Sequence, residues 1–168
     1  MKLVSMAVAA LMLAVGGSAA VAQEKSLKDR LVGTWHFVVA EVTAPDGKKS
    51  FPFGPTPRGI LIFTAGGDFA QIHIASEVPK IASGNRLAAT PEEYAGIMRG
   101  TIAQFGTYTV DEDKKTVTYK IVTSTFPNWE GISQTRLIET LTDAEFRNTN
   151  PDVGAGRGSA TNLYRRAR

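Results

Sequence analysis

The sequence contains no cysteine and only two histidines. The missing thiols exclude disulfide bonds, thiolate nucleophiles and cysteine-ligated zinc or iron–sulfur centres. The two histidines, His36 and His73, lie far apart in the sequence, and neither has the spacing of a two-histidine metal motif. We therefore expect no metal and no other cofactor, and a fold that is stabilised by packing alone.

A long apolar run occurs only near the start of the chain. Residues 3–15 are almost entirely apolar, Lys2 precedes them, and a small-residue cleavage motif ends at Ala22. This run is too short to span a bilayer. We therefore expect residues 1–22 to be a secretory signal peptide, residues 23–168 to form one domain, and the product to be periplasmic or secreted without an integral membrane anchor.

Clusters of like charge are scarce as well. The formal net charge is only +3, and arginines gather only near the C-terminus, at Arg157, Arg165, Arg166 and Arg168. Such a scattered set is typical of a solvated strand edge and not of a nucleic-acid-binding surface. We therefore predict no nucleic-acid partner.

Short β-branched and aromatic runs, separated by turn residues, fill the rest of the chain. The first run, residues 31–43, places Trp35, Phe37, Val39 and Glu41 on one face of a strand. Further runs cover residues 58–64, 69–74, 106–110, 115–123, 133–141, 145–148 and 159–166. These short strands in meander order predict an all-β fold, an eight-stranded up-and-down antiparallel barrel, because closure removes exposed edges. A β-sandwich with an ordinary core Trp is the alternative.

One short helix is expected in the loop after the third strand. Thr90 to Glu93 form a capping box with Pro91 at the first helical position. Apolar side chains then follow at near-helical spacing, at Tyr94, Ile97, Met98, Ile102 and Phe105. The pattern predicts an amphipathic helix over residues 90–104.

The loop lengths predict which end of the barrel is open. In a meander the loops after strands one, three, five and seven share one end, and all four are long, whereas the other loops are short turns. Trp35 then plugs the closed end, where Arg165 or Arg166 is placed to cover its indole. Five side chains are expected at the open mouth, namely Phe51, Phe53, Met98, Phe126 and Trp129.

Several segments, in this order, resemble the bacterial and fungal lipocalin-like domain family of the calycin barrels. They are Leu31-Val32-Gly33-Thr34-Trp35, Pro52-Phe53-Gly54-Pro55, Ala89-Thr90-Pro91-Glu92-Glu93-Tyr94, Phe105-Gly106-Thr107-Tyr108, and Pro127-Asn128-Trp129-Glu130-Gly131 with Gln134 and Arg136. The resemblance implies a barrel that binds a small apolar molecule. Because some lipocalin-like barrels in biosynthetic pathways are cyclases or isomerases, it leaves an enzyme open.

The strand that carries Arg136 decides whether the barrel has a polar site. If Gln134, Arg136 and Ile138 point inward, Arg136 is a buried cation that needs an anionic ligand group or an internal partner, for which Glu41 is the candidate. The alternative is that Arg136 faces solvent and Leu137 belongs to the core.

We therefore predict a barrel that binds a small hydrophobic molecule with a polar or anionic head group. The candidate ligand-binding residues are Arg136, Gln134, Tyr119, Tyr108, His73, Gln71, Phe53, Met98 and Trp129. The alternative is an isomerase or cyclase, with His73 as the best candidate for a general base. A third hypothesis is a protein-binding surface made by the aromatic loops, which an apolar rim without a cavity beneath it favours.

Overall fold

The computed structural model describes residues 25–154 and 156–168. The expected signal peptide and its cleavage site lie outside these described residues. Within them, no helix is long and apolar enough to cross a membrane.

Antiparallel strands make up most of the described chain. In sequence order the elements are helix α1 (Leu27–Leu31), β1 (Gly33–Thr43), β2 (Lys49–Ser50), β3 (Arg58–Phe63), β4 (Asp68–Ile74), helix α2 (Pro91–Gly100), β5 (Thr101–Asp111), β6 (Thr116–Ser124), a 3₁₀ turn (Pro127–Trp129), β7 (Ser133–Leu141), β8 (Glu145–Asn150) and β9 (Ser159–Arg166). From β3 to β9 each strand pairs with the next, and β1 pairs with both β3 and β9. This confirms the closed eight-stranded barrel, to which β2 adds only a two-residue pairing at the end of β1.

The closed end is built around Trp35, as predicted. Its side chain is 0% exposed, and its indole Nε1 donates a hydrogen bond of 2.8 Å to the Leu31 carbonyl. The guanidinium of Arg166 lies 4.0 Å from the ring centroid and donates to the carbonyl of Val32 at 3.0 Å. Helix α1, which the sequence analysis did not predict, lies at this end, where the Glu112 carboxylate accepts from the backbone N–H of Leu27.

A bulge in β1 overturns the predicted position of Glu41. The register against β9 shifts between Phe37 and Val39, so that Ala40, and not Val39, is the next buried residue after Phe37. Since a one-residue shift moves all later side chains to the opposite face, Glu41 leaves the interior. Its carboxylate instead forms a 2.8 Å salt bridge with Lys49 of β2.

Helix α2 is shorter than predicted. Its capping box at Thr90 is present, but it ends at Gly100, and Ile102 and Phe105 lie on β5. Two causes act together at this point. A Cβ on Gly100 would lie 2.9 Å from the Val78 side chain, so a close contact fixes the chain there. The β-branched and aromatic residues that follow pair in register with β4 from Thr101 onward.

The long loops share one end of the barrel, as predicted from their lengths. They join β1 to β3, β4 to β5, β6 to β7 and β8 to β9, whereas the other connections are short turns. A buried aromatic core fills the part of the interior that lies toward the closed end. It includes Phe63, Phe69, Tyr119, Phe146 and Tyr164. The space that remains open therefore lies toward the long loops.

Candidate functional site

A cavity of about 660 Å³ opens among the long loops. The loops contribute mostly apolar side chains to its lining, namely Phe53, Phe126, Trp129, Ile132 and Val153. The strands contribute mostly polar side chains, including Gln71, His73, Gln104, Gln134, Arg136 and Asn162. Its volume lies in the range of small-molecule sites, and the mixture of linings suits an amphipathic ligand.

Arg136 of β7 points into this cavity, which settles the choice posed by the sequence. Its neighbour Leu137 is 44% exposed and therefore lies on the outer surface. The Nη2 of Arg136 donates a hydrogen bond to Oε1 of Gln134, two residues earlier on the same face. Burial lowers the pKa of Arg136 from its ordinary value, but an arginine remains charged in proteins at any physiological pH.

No described residue forms a salt bridge with Arg136. The expected partner, Glu41, lies on the outside with Lys49. The acidic side chain in the described part of the cavity wall is Asp152, in the loop before β9, and its Oδ1 accepts from the backbone N–H of Gly156. The cavity therefore contains a cation whose charge is not balanced by a carboxylate in direct contact.

His73 of β4 is buried between Phe37 and Tyr164. Its ring stacks on Phe37 with 3.7 Å between centroids, and Phe53 packs edge-on against it from the mouth. Gln71 Nε2 lies 3.3 Å from Nδ1, and the Tyr164 hydroxyl lies 3.0 Å from Nε2. Burial, and to a lesser extent the charge of Arg136, lowers the pKa of His73 to about 3.

A neutral His73 should make the stability of the protein depend on pH. An unfolded chain binds a proton on this ring below about pH 6.5, whereas the folded chain does not until about pH 3. The unfolded state therefore binds more protons in this interval, and the free energy of unfolding falls as the pH drops, by at most about 1.4 kcal/mol per pH unit from this group. Denaturant unfolding at pH 7 and pH 5 should show a smaller fall in His73→Gln than in the natural protein. An NMR titration of the His73 ring with a midpoint near pH 6.5 contradicts this account.

Three of the predicted ligand-binding residues lie away from the cavity wall. The Tyr108 hydroxyl donates to the Thr64 carbonyl at 2.8 Å, which places it near the closed end. Tyr119 is buried against Phe63 and Phe69, beneath the cavity. Met98 lies on α2, where it is 43% exposed.

The other predicted residues come together around the cavity. Gln71 and His73 line it from β4, Gln134 and Arg136 from β7, and Phe53 and Trp129 from the loops. Trp129 packs edge-on against Phe126 with 5.3 Å between ring centroids. A cavity therefore lies beneath the aromatic loops. An apolar rim without a cavity, which would have favoured a protein-binding surface, is not what the structure has.

Sequence reasoning missed Gln104 and Asn162 as lining residues. Gln104 fell inside the predicted helix, although residues 101–110 alternate with the period of a strand. Asn162 lies two residues before the buried Tyr164, so a period of two counted back from that tyrosine would have placed it inward.

Among the described residues, no three histidine or acidic side chains lie close enough together to hold a metal ion. The charged and polar groups that line the cavity include two guanidinium groups, one carboxylate, several carboxamides and a neutral imidazole. These groups are suited to hydrogen bonding with an organic ligand.

No curated protein sequence matches this chain. Among solved structures, a redesigned β-barrel is 17% identical, with a TM-score of 0.42 over 86% of this chain and 100% of that one. A de novo designed fluorescence-activating β-barrel is 11% identical, with a TM-score of 0.43 over 85% of this chain and 99% of that one. A redesigned barrel bound to DFHBI is 15% identical, with a TM-score of 0.39 over 85% of this chain and 100% of that one.

The family comparison covers most of the barrel. The profile of the lipocalin-like domain matches residues 32–162, from the residue before β1 to the middle of β9. It includes the Gly33-Thr34-Trp35 segment at the closed end and both Gln134 and Arg136 in the cavity. The chain belongs to the lipocalin-like domain family.

Proposed function

We propose that the barrel binds a small amphipathic molecule, with an anionic head group against Arg136 and an apolar part under the mouth aromatics. The observation that carries this proposal is the guanidinium in the cavity, which forms no salt bridge with any described residue. A cation withdrawn from water is costly unless it is paired. A carboxylate or similar anion in the ligand supplies the missing charge.

The position of Arg136 also favours a planar anionic group. Its bond to Gln134 Oε1 restrains one edge of the guanidinium. A guanidinium presents several N–H donors in a rigid fork, which matches the two oxygens of a carboxylate. Two of the groups that interact with it are neutral at physiological pH, because burial raises the pKa of Tyr119 and lowers that of His73. No competing negative charge therefore comes from these two side chains.

The apolar part of the ligand is assigned to the mouth. Phe53, Phe126 and Trp129 line this part of the cavity from separate loops. Burying apolar ligand surface against them contributes about 25 cal/mol per Å², before the cost of association is subtracted. Head group and apolar part thus have separate, chemically matched contacts.

Catalysis is not part of this proposal. For the alternative of an isomerase or cyclase, His73 was the best candidate for a general base. With a pKa of about 3, the ring is a weak base at neutral pH, and both of its nitrogens already contact protein groups. The other histidine, His36, is exposed on β1.

Export is included in the proposal on the strength of residues 1–22. Their charged start, apolar run and small-residue cleavage motif have the composition of a secretory signal. Intact-mass measurement of the protein from its own cells should give a chain that begins at Gln23 in the extracytoplasmic fraction. A full-length chain confined to the cytoplasm contradicts export.

A matched pair of ligands tests the head-group assignment. We expect the purified protein to bind 11-(dansylamino)undecanoic acid with enhanced dansyl fluorescence, and to bind its methyl ester roughly tenfold or more weakly. The difference reflects a charge-assisted hydrogen bond, worth about 1.5–3 kcal/mol. The two probes share their apolar part, so equal affinities would show that the cation does not contribute to recognition.

A further inference from the structure

Gln104 has a hydrogen-bonding group that the protein leaves unused. The residue lies on β5, lines the cavity and is only 7% exposed. Its Nε2 donates to Gln71 Oε1 over 3.4 Å, but its Oε1 is buried without a hydrogen-bond partner among the described residues. Buried side-chain oxygens without a partner are rare in folded proteins, and each calls for a specific explanation.

A series of hydrogen bonds connects Gln104 to Gln71, His73 and Tyr164. The direction of these bonds leaves Gln104 with a free acceptor. Gln71 uses its Nε2 to donate to Nδ1 of His73, so its Oε1 is directed to Gln104. With Nδ1 accepting, the single proton of the neutral imidazole lies on Nε2 and is donated to the Tyr164 oxygen. This series of hydrogen bonds therefore ends at the side-chain carbonyl oxygen of Gln104, which has no partner among the described residues.

The carboxamide of Gln104 lines the same cavity as the Arg136 cation. Gln71 and His73, which connect to Gln104, line the cavity together with Arg136. The positive charge of Arg136 also contributes to the lowered pKa of the His73 ring. A ligand in this cavity can therefore contact both the Arg136 guanidinium and the Gln104 carboxamide.

We propose that Gln104 Oε1 accepts a hydrogen bond from the ligand, so that the anionic head group has a hydroxyl or N–H donor beside it. Hydroxy acids and N-acyl amino acids have this chemistry, whereas simple fatty acids lack it. The inference rests on the proposed binding of an anion at Arg136. The 3.4 Å bond to Gln71 is long for an amide hydrogen bond, so a carboxamide that turns toward the cavity gives up only a weak hydrogen bond.

Four acids that share one chain test the inference by competition against the dansylated acid. They are dodecanoic, 2-hydroxydodecanoic, 3-hydroxydodecanoic and 3-methoxydodecanoic acid. We expect one of the hydroxy acids to bind roughly tenfold more tightly than dodecanoic acid, since it satisfies a buried acceptor. The methoxy acid should show no such advantage, because an ether oxygen cannot donate.

Substitution at Gln104 locates the effect. In Gln104→Leu the affinity ratio of hydroxy acid to dodecanoic acid should fall to about one. In Ile102→Val, the control on the same inward face of β5, the ratio should be retained. A preference for the hydroxy acid that persists in Gln104→Leu overturns the inference, since another group then accepts the hydrogen bond.

The ligand series in the natural protein remains decisive if Gln104→Leu fails to fold. Equal binding of all four acids, with dodecanoic acid still preferred to its methyl ester, overturns the role of Gln104 and leaves the proposed function standing. If the methoxy acid bound as tightly as the hydroxy acids, and more tightly than dodecanoic acid, the carboxamide would present its NH₂ group, because ether and hydroxyl oxygens both accept; this result also overturns the inference. If none of the acids binds, both proposals fail.

Discussion

Replacing Arg136 with methionine should weaken the binding of a long-chain carboxylate at least tenfold. Arg136 is the charged group that lines the cavity from β7, and none of the described residues forms a salt bridge with it. Methionine keeps an unbranched side chain of similar length but removes the guanidinium donors, worth about 1.5–3 kcal/mol to a charged acceptor. Titration with 11-(dansylamino)undecanoic acid measures the loss. The methyl ester, which does not depend on charge, should lose little.

The same substitution should make the ligand-free protein more stable. Burial lowers the pKa of Arg136, which shows that its charged form is disfavoured in the folded state. Methionine avoids this desolvation cost, and we expect the free energy of unfolding to rise by about 1–3 kcal/mol. Urea unfolding without ligand measures the change. A rise in stability together with a loss of binding is typical of a residue that is retained for function.

Arg157→Met provides the matched control. Arg157 also lines the cavity, but it lies exposed in the loop before β9. Its substitution should change the free energy of unfolding by less than about 0.5 kcal/mol, as is usual for exposed positions. If Arg136→Met instead destabilised the protein by more than 1 kcal/mol, Arg136 would be a structural residue through its bond to Gln134, and the functional interpretation would be wrong.

The barrel itself could be predicted because its determinants are local. Alternation of apolar and polar residues identifies each strand, and turn residues identify each connection. Loop lengths then separate the closed end from the open end. The same reasoning placed Trp35 at the closed end and either Arg165 or Arg166 over its indole, and the structure shows that the residue is Arg166.

The details of the site could not be predicted because they depend on distant parts of the chain. The bulge after Phe37 arises in the pairing of β1 with β9, and it alone moves Glu41 to the outer surface. The hydrogen bond between His73 and Tyr164 joins residues that are separated by 91 positions. A pattern of period two indicates which side chains face inward, but it does not indicate which of them meet across the barrel.

Replacing Trp35 with alanine should cause the largest loss of stability that we predict. The indole is 0% exposed and packs against Phe146 with 5.6 Å between ring centroids. Its removal creates a cavity, leaves the Leu31 carbonyl without the indole donor and takes the aromatic surface from beneath Arg166. Removing a buried Trp in this way costs about 3–5 kcal/mol, against a total stability of about 5–15 kcal/mol for a domain. Thermal and urea unfolding followed by circular dichroism measure the loss.

Two variants separate the causes of this loss. Trp35→Phe keeps an aromatic ring under Arg166 but removes the N–H donor to Leu31, so we expect a smaller loss of about 1–2 kcal/mol. Trp129→Ala removes the other tryptophan, which lies at the mouth, and should weaken ligand binding more than folding. The opposite ranking, with Trp129→Ala the more destabilising, would mean that the barrel is held together at its mouth. In that case the long loops would be structural, and the cavity would not be a site that is free to admit a ligand.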